Sequence, residues 1–170
     1  MIVMKFGGTS VASAAAIERV AGIVRARLAR RPVVVVSAMG KTTNRLLSIA
    51  NRAVQGKRDE ALGELMALRD FHLRESAMER TVDEHFQELG ELTRGLAILG
   101  ELTPRSIDAI SSFGERLSSL IVTNHFQKLG MKTISVTQAH DPRNPRGMST
   151  LGVGGVQMAD VSVDVETGVV

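Results

Sequence analysis

Met1-Ile2-Val3-Met4-Lys5-Phe6-Gly7-Gly8-Thr9-Ser10 opens the chain, and the order of residue types in it decides the fold class. Met1 to Gly7 reads as a short buried strand that runs into a Gly-Gly turn. Ser10 is placed to cap a following helix, although position 13 lacks the Glu or Gln of a capping box. Ile17, Val20, Ala21, Val24 and Leu28 then recur at helical spacing. Pro32 stops that helix, and Val33-Val34-Val35-Val36 is a β-branched run too short for a helix, so it reads as a strand buried on both faces. Strand, helix and strand make a βαβ unit, with parallel strands and a right-handed crossover.

Outward from this unit the chain turns helical. Thr43 to Val54 carries Leu46, Leu47, Ile49, Ala50 and Ala53. Lys57 to Ala77, and again Met78 to Leu99, place apolar residues among charged ones at helical period. Pro104 opens another helix near N1, where its missing N–H costs nothing. Glu115 to Leu129 predicts a further helix, closed by Gly130 as the C′ residue. Lys132 to Val136 is the next strand. After Arg146 the composition shifts: the last 24 residues hold no Lys or Arg and five of the 16 Gly. There Asp160 to Val165 alternates like a half-exposed strand, and Gly152-Val153-Gly154-Gly155-Val156 reads as loop.

A chain of 170 residues, 44% hydrophobic and 23% charged, is one globular domain or a large piece of one. The absence of cysteine excludes a disulfide framework, a thiolate zinc site and a cysteine nucleophile. No apolar run approaches the ~18 residues of a membrane span, and the first residues lack the n- and h-regions of a signal peptide. The expectation is therefore a cytoplasmic protein with no membrane partner. Net charge is +3, from 21 Lys+Arg against 18 Asp+Glu, with no Trp or Tyr. The basic residues are interleaved with acidic ones, and the cluster Arg25, Arg27, Arg30 and Arg31 lies near a helix end, where cations suit the dipole. No nucleic-acid partner is expected.

Three segments could carry chemistry. In Lys5 to Ser10, two glycines let a ligand approach the backbone, amides at a helix start favour anions, and Lys5 adds a cation. Together these suit a polyphosphate, although the pattern is neither a Walker A loop nor G-x-G-x-x-G, and a tight turn alone would also need its Gly. Ser37-Ala38-Met39-Gly40-Lys41-Thr42-Thr43-Asn44 follows the second strand, so the two turns should lie side by side at the carboxyl ends of the strands. Its small hydroxyls could orient a polar substrate, or Thr42 or Thr43 could merely cap the next helix. In Ser111 to Ser119, Glu115 follows Gly114 among apolar and small residues, so it is either drawn inward toward a ligand or solvated on a helix surface.

His72, His85, His125 and His140 lack H-x-x-x-H or H-E-x-x-H spacing and read as surface or partly buried helix positions, so no metal site is assigned. The methionines read as core filler. Asp83-Glu84, and Glu88 with Glu91, read as solvated helix faces.

Lys-Phe-Gly-Gly-Thr-Ser-Val (Lys5 to Val11), the stretch Val35 to Asn44, and Ser-Phe-Gly-Glu-Arg-Leu-Ser-Ser (Ser112 to Ser119) resemble, in this order, the aspartokinases of the amino acid kinase superfamily. The resemblance covers about residues 1–136. It implies a three-layer α/β/α fold with a mostly parallel sheet, of which this chain carries the amino-terminal lobe only. It also implies ATP-dependent phosphorylation of the L-aspartate side-chain carboxylate to 4-phospho-L-aspartate, the first step toward lysine, threonine and methionine. ATP and Mg²⁺ would be the cofactors, L-aspartate the partner, and the complete enzyme a homo-oligomer.

Carried over by motif position, Lys5 contacts the transferring phosphate and is the catalytic residue. Gly7, Gly8, Thr9, Ser10 and Ser37 complete the phosphate site, while Ser37, Ala38, Thr43 and Glu115 bind the amino acid. The Asp-x-Arg stretch of the family is replaced by Thr137-Gln138-Ala139-His140-Asp141-Pro142-Arg143. Residues 137–170 therefore read as a divergent or incomplete tail, with no counterpart of the second, nucleotide-binding lobe or of the paired ACT domains. The chain alone is expected to be inactive. The rival readings are a non-catalytic aspartate-binding or structural remnant, and a kinase for another amino acid.

Overall fold

β1 (Ile2–Phe6) and β2 (Pro32–Val36) pair in parallel, from Ile2 opposite Pro32 to Phe6 opposite Val36, with α1 (Ala14–Arg25) in the connection between them. The computed structural model describes residues 1–137 and 159–162. Within them α2 (Thr42–Val54), α3 (Arg58–Ser76), α4 (Glu79–Leu99) and α5 (Pro104–Lys128) follow, then β3 (Ile134–Thr137) and β4 (Ala159–Ser162). The sheet order is β1-β2-β4-β3. β4 is antiparallel to both neighbours, so β1, β2 and β3 point the same way. The fold is α/β, as read from the opening βαβ unit. Of the stretch expected to form a strand at Asp160 to Val165, Val163 to Val165 lie outside the described residues, as do 138–158, which include His140 and the glycine-rich loop.

The helices cover one face of the sheet. α5 packs on β2, β3 and β4, and it carries α1 with it through Arg25, which donates to the Leu129 carbonyl, and through Glu18 on His125. Val34 and Val36 are buried on that side, with Met4 and Phe6 packed against them. On the other side Val3, Val33 and Ile134 lie in one row across the sheet. Val3 is 65% exposed, Ile134 38% exposed, and Val33 and Val35 are half-buried. β2 is thus buried on one face rather than both, because among the described residues no helix packs on the second.

Two helix boundaries differ from the sequence reading. α1 begins at Ala14, capped by the Ser13 hydroxyl, which accepts from the Ala16 amide at 3.2 Å, and not by Ser10. The longer turn lets Val11 bury itself completely before the helix starts. Pro104 to Lys128 is a single helix, with Thr103 as its N-cap and Gly130 beyond its C-cap, where two helices were expected. Gly114 sits inside it. A β-carbon there would lie 2.7 Å from Ala38 Cβ, so glycine brings α5 against the second strand-end turn. The close approach offsets the roughly 1 kcal/mol that a mid-helix glycine costs.

α2, α3, α4 and α5 bury Leu46, Ile49, Leu68, Val82, Leu117 and Phe126 in a common core, each worth about 1.5–3 kcal/mol relative to exposure. Met39 and Met131 are buried in it, whereas Met1 and Met66 are exposed and fill nothing. Glu84 pairs with Arg80 on the surface, but Asp83 reaches Arg69 at 2.6 Å and ties α3 to α4.

Candidate functional site at the strand ends

Gly8 and Gly40 bring the two strand-end turns together. The Gly40 amide donates to the Gly8 carbonyl at 2.9 Å, and the Ser37 amide to the Phe6 carbonyl at 3.1 Å. A β-carbon at Gly8 would stand 2.6 Å from the Ala38 oxygen and 2.8 Å from the Gly40 oxygen. Packing of turn on turn therefore accounts for Gly8. Gly7 is different: a β-carbon there meets nothing within 4 Å, so its backbone is open to a ligand. Thr9 and Ser10 are exposed, and the Ser10 amide closes the turn on the Gly7 carbonyl at 2.9 Å. Lys5 is exposed on the uncovered face of the sheet, one residue before the last of β1.

The start of α1 is not the free anion site that the sequence suggested. Ser13 takes the Ala16 amide, and the Glu75 carboxylate, from the end of α3, accepts from the Ala14 amide at 2.9 Å. A phosphate arriving there would meet a carboxylate already in place. Any anion affinity falls instead to the Gly7-Gly8 turn and Lys5.

The second turn is held from α5. Ser118 donates its hydroxyl to the Ser37 carbonyl at 2.8 Å, and the Ala38 amide donates to Glu115 Oε1 at 3.4 Å. Glu115 is half-buried and directed at the turn, so it does not stand on a solvated helix face. Gly114 puts the Thr43 hydroxyl oxygen 3.5 Å from where a β-carbon would be. Neither Thr42 nor Thr43 caps α2: Lys41 occupies the cap position, and the buried Thr42 hydroxyl donates to the Met39 carbonyl at 2.6 Å. The structure thus brings Ser37, Ala38, Thr43 and Glu115 to one place, beside the turn that follows Lys5. Chemically, a carboxylate, a hydroxyl and backbone amides beside an open glycine turn suit an ammonium-bearing substrate next to an anionic one.

Reasoning from sequence missed His72. It is completely buried, with Nδ1 2.9 Å from the Leu68 carbonyl and Nε2 3.4 Å from Thr42 Oγ1. Burial pushes its pKa below the ordinary 6.5, and Arg45 acts in the same direction. The signal was present, because Ala61, Leu65, Leu68 and His72 form the buried stripe of α3 at helical spacing. A cavity of about 430 Å³ lies between α3 and α4, lined by Leu62, Leu65, Met66 and Phe86, and it shares no residue with the turns. Among the described residues no cluster of His, Asp or Glu could hold a metal, and no helix is long and apolar enough to cross a membrane.

Comparison with known proteins identifies the family. The profile of the amino acid kinase family matches residues 1–162. Aspartokinase 2, chloroplastic, of Arabidopsis thaliana is 41% identical over 136 residues, 76% of this chain and 25% of the relative. Aspartokinase 1, chloroplastic, of the same plant is 39% identical over 137 residues, 76% of this chain and 24% of the relative. The chain spans about a quarter of the length of these curated relatives. Among solved structures, E. coli aspartokinase III in complex with aspartate and ADP superimposes with a TM-score of 0.66 at 28% identity, over 77% of this chain and 30% of that one.

Proposed function

Because the chain belongs to the amino acid kinase family, we propose that it carries the phosphate- and amino-acid-binding part of an aspartate kinase, with residues 1–136 as the amino-terminal lobe of the kinase domain. The observation that carries this reading is the approach of the Glu115 carboxylate, from mid-α5, to the Ala38 amide at the end of β2. A neighbouring structure that holds both aspartate and ADP adds support.

In the reaction, a side-chain carboxylate oxygen of L-aspartate attacks the γ-phosphorus of ATP, a new P–O bond forms, and ADP departs with the electrons of the bond that breaks. No residue of the chain is covalently modified. Its work is positioning and charge stabilisation. Glu115 accepts from the α-ammonium group of aspartate, with Ala38, Thr43 and Ser37 shaping the rest of that subsite. Lys5 and the amides of the Gly7-Gly8 turn, flanked by Thr9 and Ser10, face the transferring phosphate, whose charge shifts toward the leaving oxygen as the bond breaks. Mg²⁺ supplies charge neutralisation in ATP-dependent transfer generally. The described residues offer no ligand cluster for it, and no step here runs through it. The product, 4-phospho-L-aspartate, is the activated acid from which lysine, threonine and methionine formation would start.

The test is amino-acid-dependent ADP release from ATP by a full-length kinase that carries this chain. Turnover with L-aspartate, and a Lys5→Ala variant that loses kcat far more than aspartate KM, is the expected result. Turnover with another amino acid in place of aspartate would move the chain to a different substrate within the family. Loss confined to KM would give Lys5 a different role.

A further inference from the structure

We propose that Ser118 is a positioning residue of the amino-acid subsite: it fixes the Ser37–Ala38 peptide group and, through it, the carboxylate of Glu115. The role rests on the subsite proposed above, whereas the contacts that carry it hold without any ligand. The Ser37 carbonyl and the Ala38 amide belong to one trans peptide, so they point in opposite directions. α5 takes hold of both ends. The Ser118 hydroxyl donates its single hydrogen to the Ser37 carbonyl at 2.8 Å, and the Ala38 amide donates to Glu115 Oε1 at 3.4 Å. Glu115 and Ser118 stand three residues apart on one face of the helix, so the peptide is spanned from one turn of α5 to the next.

The neighbouring contacts set the approach. Gly114 lets Ala38 Cβ come closer to α5 than any side chain there would allow. On the other side the Ser37 amide donates to the Phe6 carbonyl at 3.1 Å, so Ser37 is tied to β1 by its amide and to α5 by its carbonyl. Ser118 is completely buried and Ala38 is buried beside it, so no water stands ready to replace a lost bond. With Oε1 held by the backbone, Oε2 is the oxygen that Glu115 has left for an α-ammonium group. Loss of the Ser118 hydroxyl frees the peptide to rotate, and the carboxylate then loses the contact that aims it. Ser119 is buried as completely, but its hydroxyl meets Ser135 of β3 and not the turn. It is the matched control.

The experiment has two readouts. In the ligand-free 170-residue chain, Ser118→Ala should speed hydrogen exchange at the Ala38 amide about 2- to 12-fold, the range of one neutral hydrogen bond. The Val122 and Phe126 amides of α5 should be unchanged. In a full-length kinase that carries this chain, the same variant should raise aspartate KM by about 2- to 12-fold and keep kcat and the ATP KM. Ser119→Ala should do neither. In a Glu115→Gln background, Ser118→Ala should add nothing to aspartate KM, because its effect runs through that carboxylate.

Unchanged exchange at Ala38, equal acceleration along α5, the same effects in Ser119→Ala, or full additivity with Glu115→Gln would each overturn the role. If Ser118→Ala does not fold, Ser118→Cys decides, since it keeps the shape with a much weaker donor. Selective acceleration at Ala38 then supports the role, and unchanged exchange overturns it. Failure of the subsite reading looks different: Glu115→Gln alone would leave aspartate KM unchanged. The exchange readout would then decide by itself whether Ser118 fixes the peptide.

Discussion

A methyl group added at Gly8 would sit 2.6 Å from the Ala38 carbonyl oxygen, whereas one added at Gly7 meets no atom within 4 Å. Gly8→Ala should therefore destabilise the fold by about 1–3 kcal/mol, the usual cost of forcing atoms into packed space. Gly7→Ala should stay within about 0.5 kcal/mol, as an open-surface change does. Urea denaturation of the two variants checks this, and equal losses would show that both glycines serve packing. His72 makes a second claim at this scale. Burial lowers its pKa below the ordinary 6.5, with a smaller contribution from Arg45 against the opposing bond to Leu68. The unfolded chain then takes up the proton before the folded one does. Stability should be full above about pH 6.5 and fall as pH drops below it, until folded His72 itself protonates, by at most about 1.4 kcal/mol per pH unit. Denaturation of wild type and His72→Gln between pH 7.5 and 5, in buffers chosen as ~0.1 M salt, should give a shallower slope for the variant. Identical slopes would place the pH dependence on other groups.

At the scale of elements, what the sequence made legible was what depends on local pattern. The βαβ opening, the two helices α3 and α4, and the Pro104 start of α5 follow from apolar period, Gly and Pro, and they sit where those signals put them. What depended on tertiary contact was not legible. Gly114 stood just before the helix expected from Glu115, yet it lies inside α5, and it is glycine because Ala38 Cβ leaves no room for a side chain. Ser10 looked like a cap, yet burial of Val11 moves the helix start to Ala14 and gives the cap to Ser13. Glu75, sixty-one residues from Ala14 in sequence, fills the amide that a free helix start would have offered to an anion. No local rule could reveal that partner. His72 lay between, since its place on the α3 stripe was visible but its neighbour on α2 was not.

At the scale of the molecule, helices cover one face of the sheet, and Val3, Lys5 and Ile134 stand exposed on the other among the described residues. The candidate site straddles the carboxyl ends of β1 and β2, where ligands of α/β sheets gather. Lys5 stands on the open face of β1, and Glu115 reaches the second turn from the helical face. This two-sided arrangement is what the proposed function rests on, with the phosphate assigned to the Lys5 side and the amino acid to the Glu115 side. The most direct test is titration of L-aspartate into the isotopically labelled chain, with the amide signals of Ala38, Thr43 and Glu115 followed by NMR, for wild type and Glu115→Gln. The account predicts that these signals shift in wild type. It predicts that the variant needs about 10- to 150-fold more aspartate, the loss of one charge-assisted bond worth roughly 1.5–3 kcal/mol. Wild-type shifts that persist at the same aspartate concentration in Glu115→Gln, or that appear elsewhere in the chain and not at the turn, would contradict it.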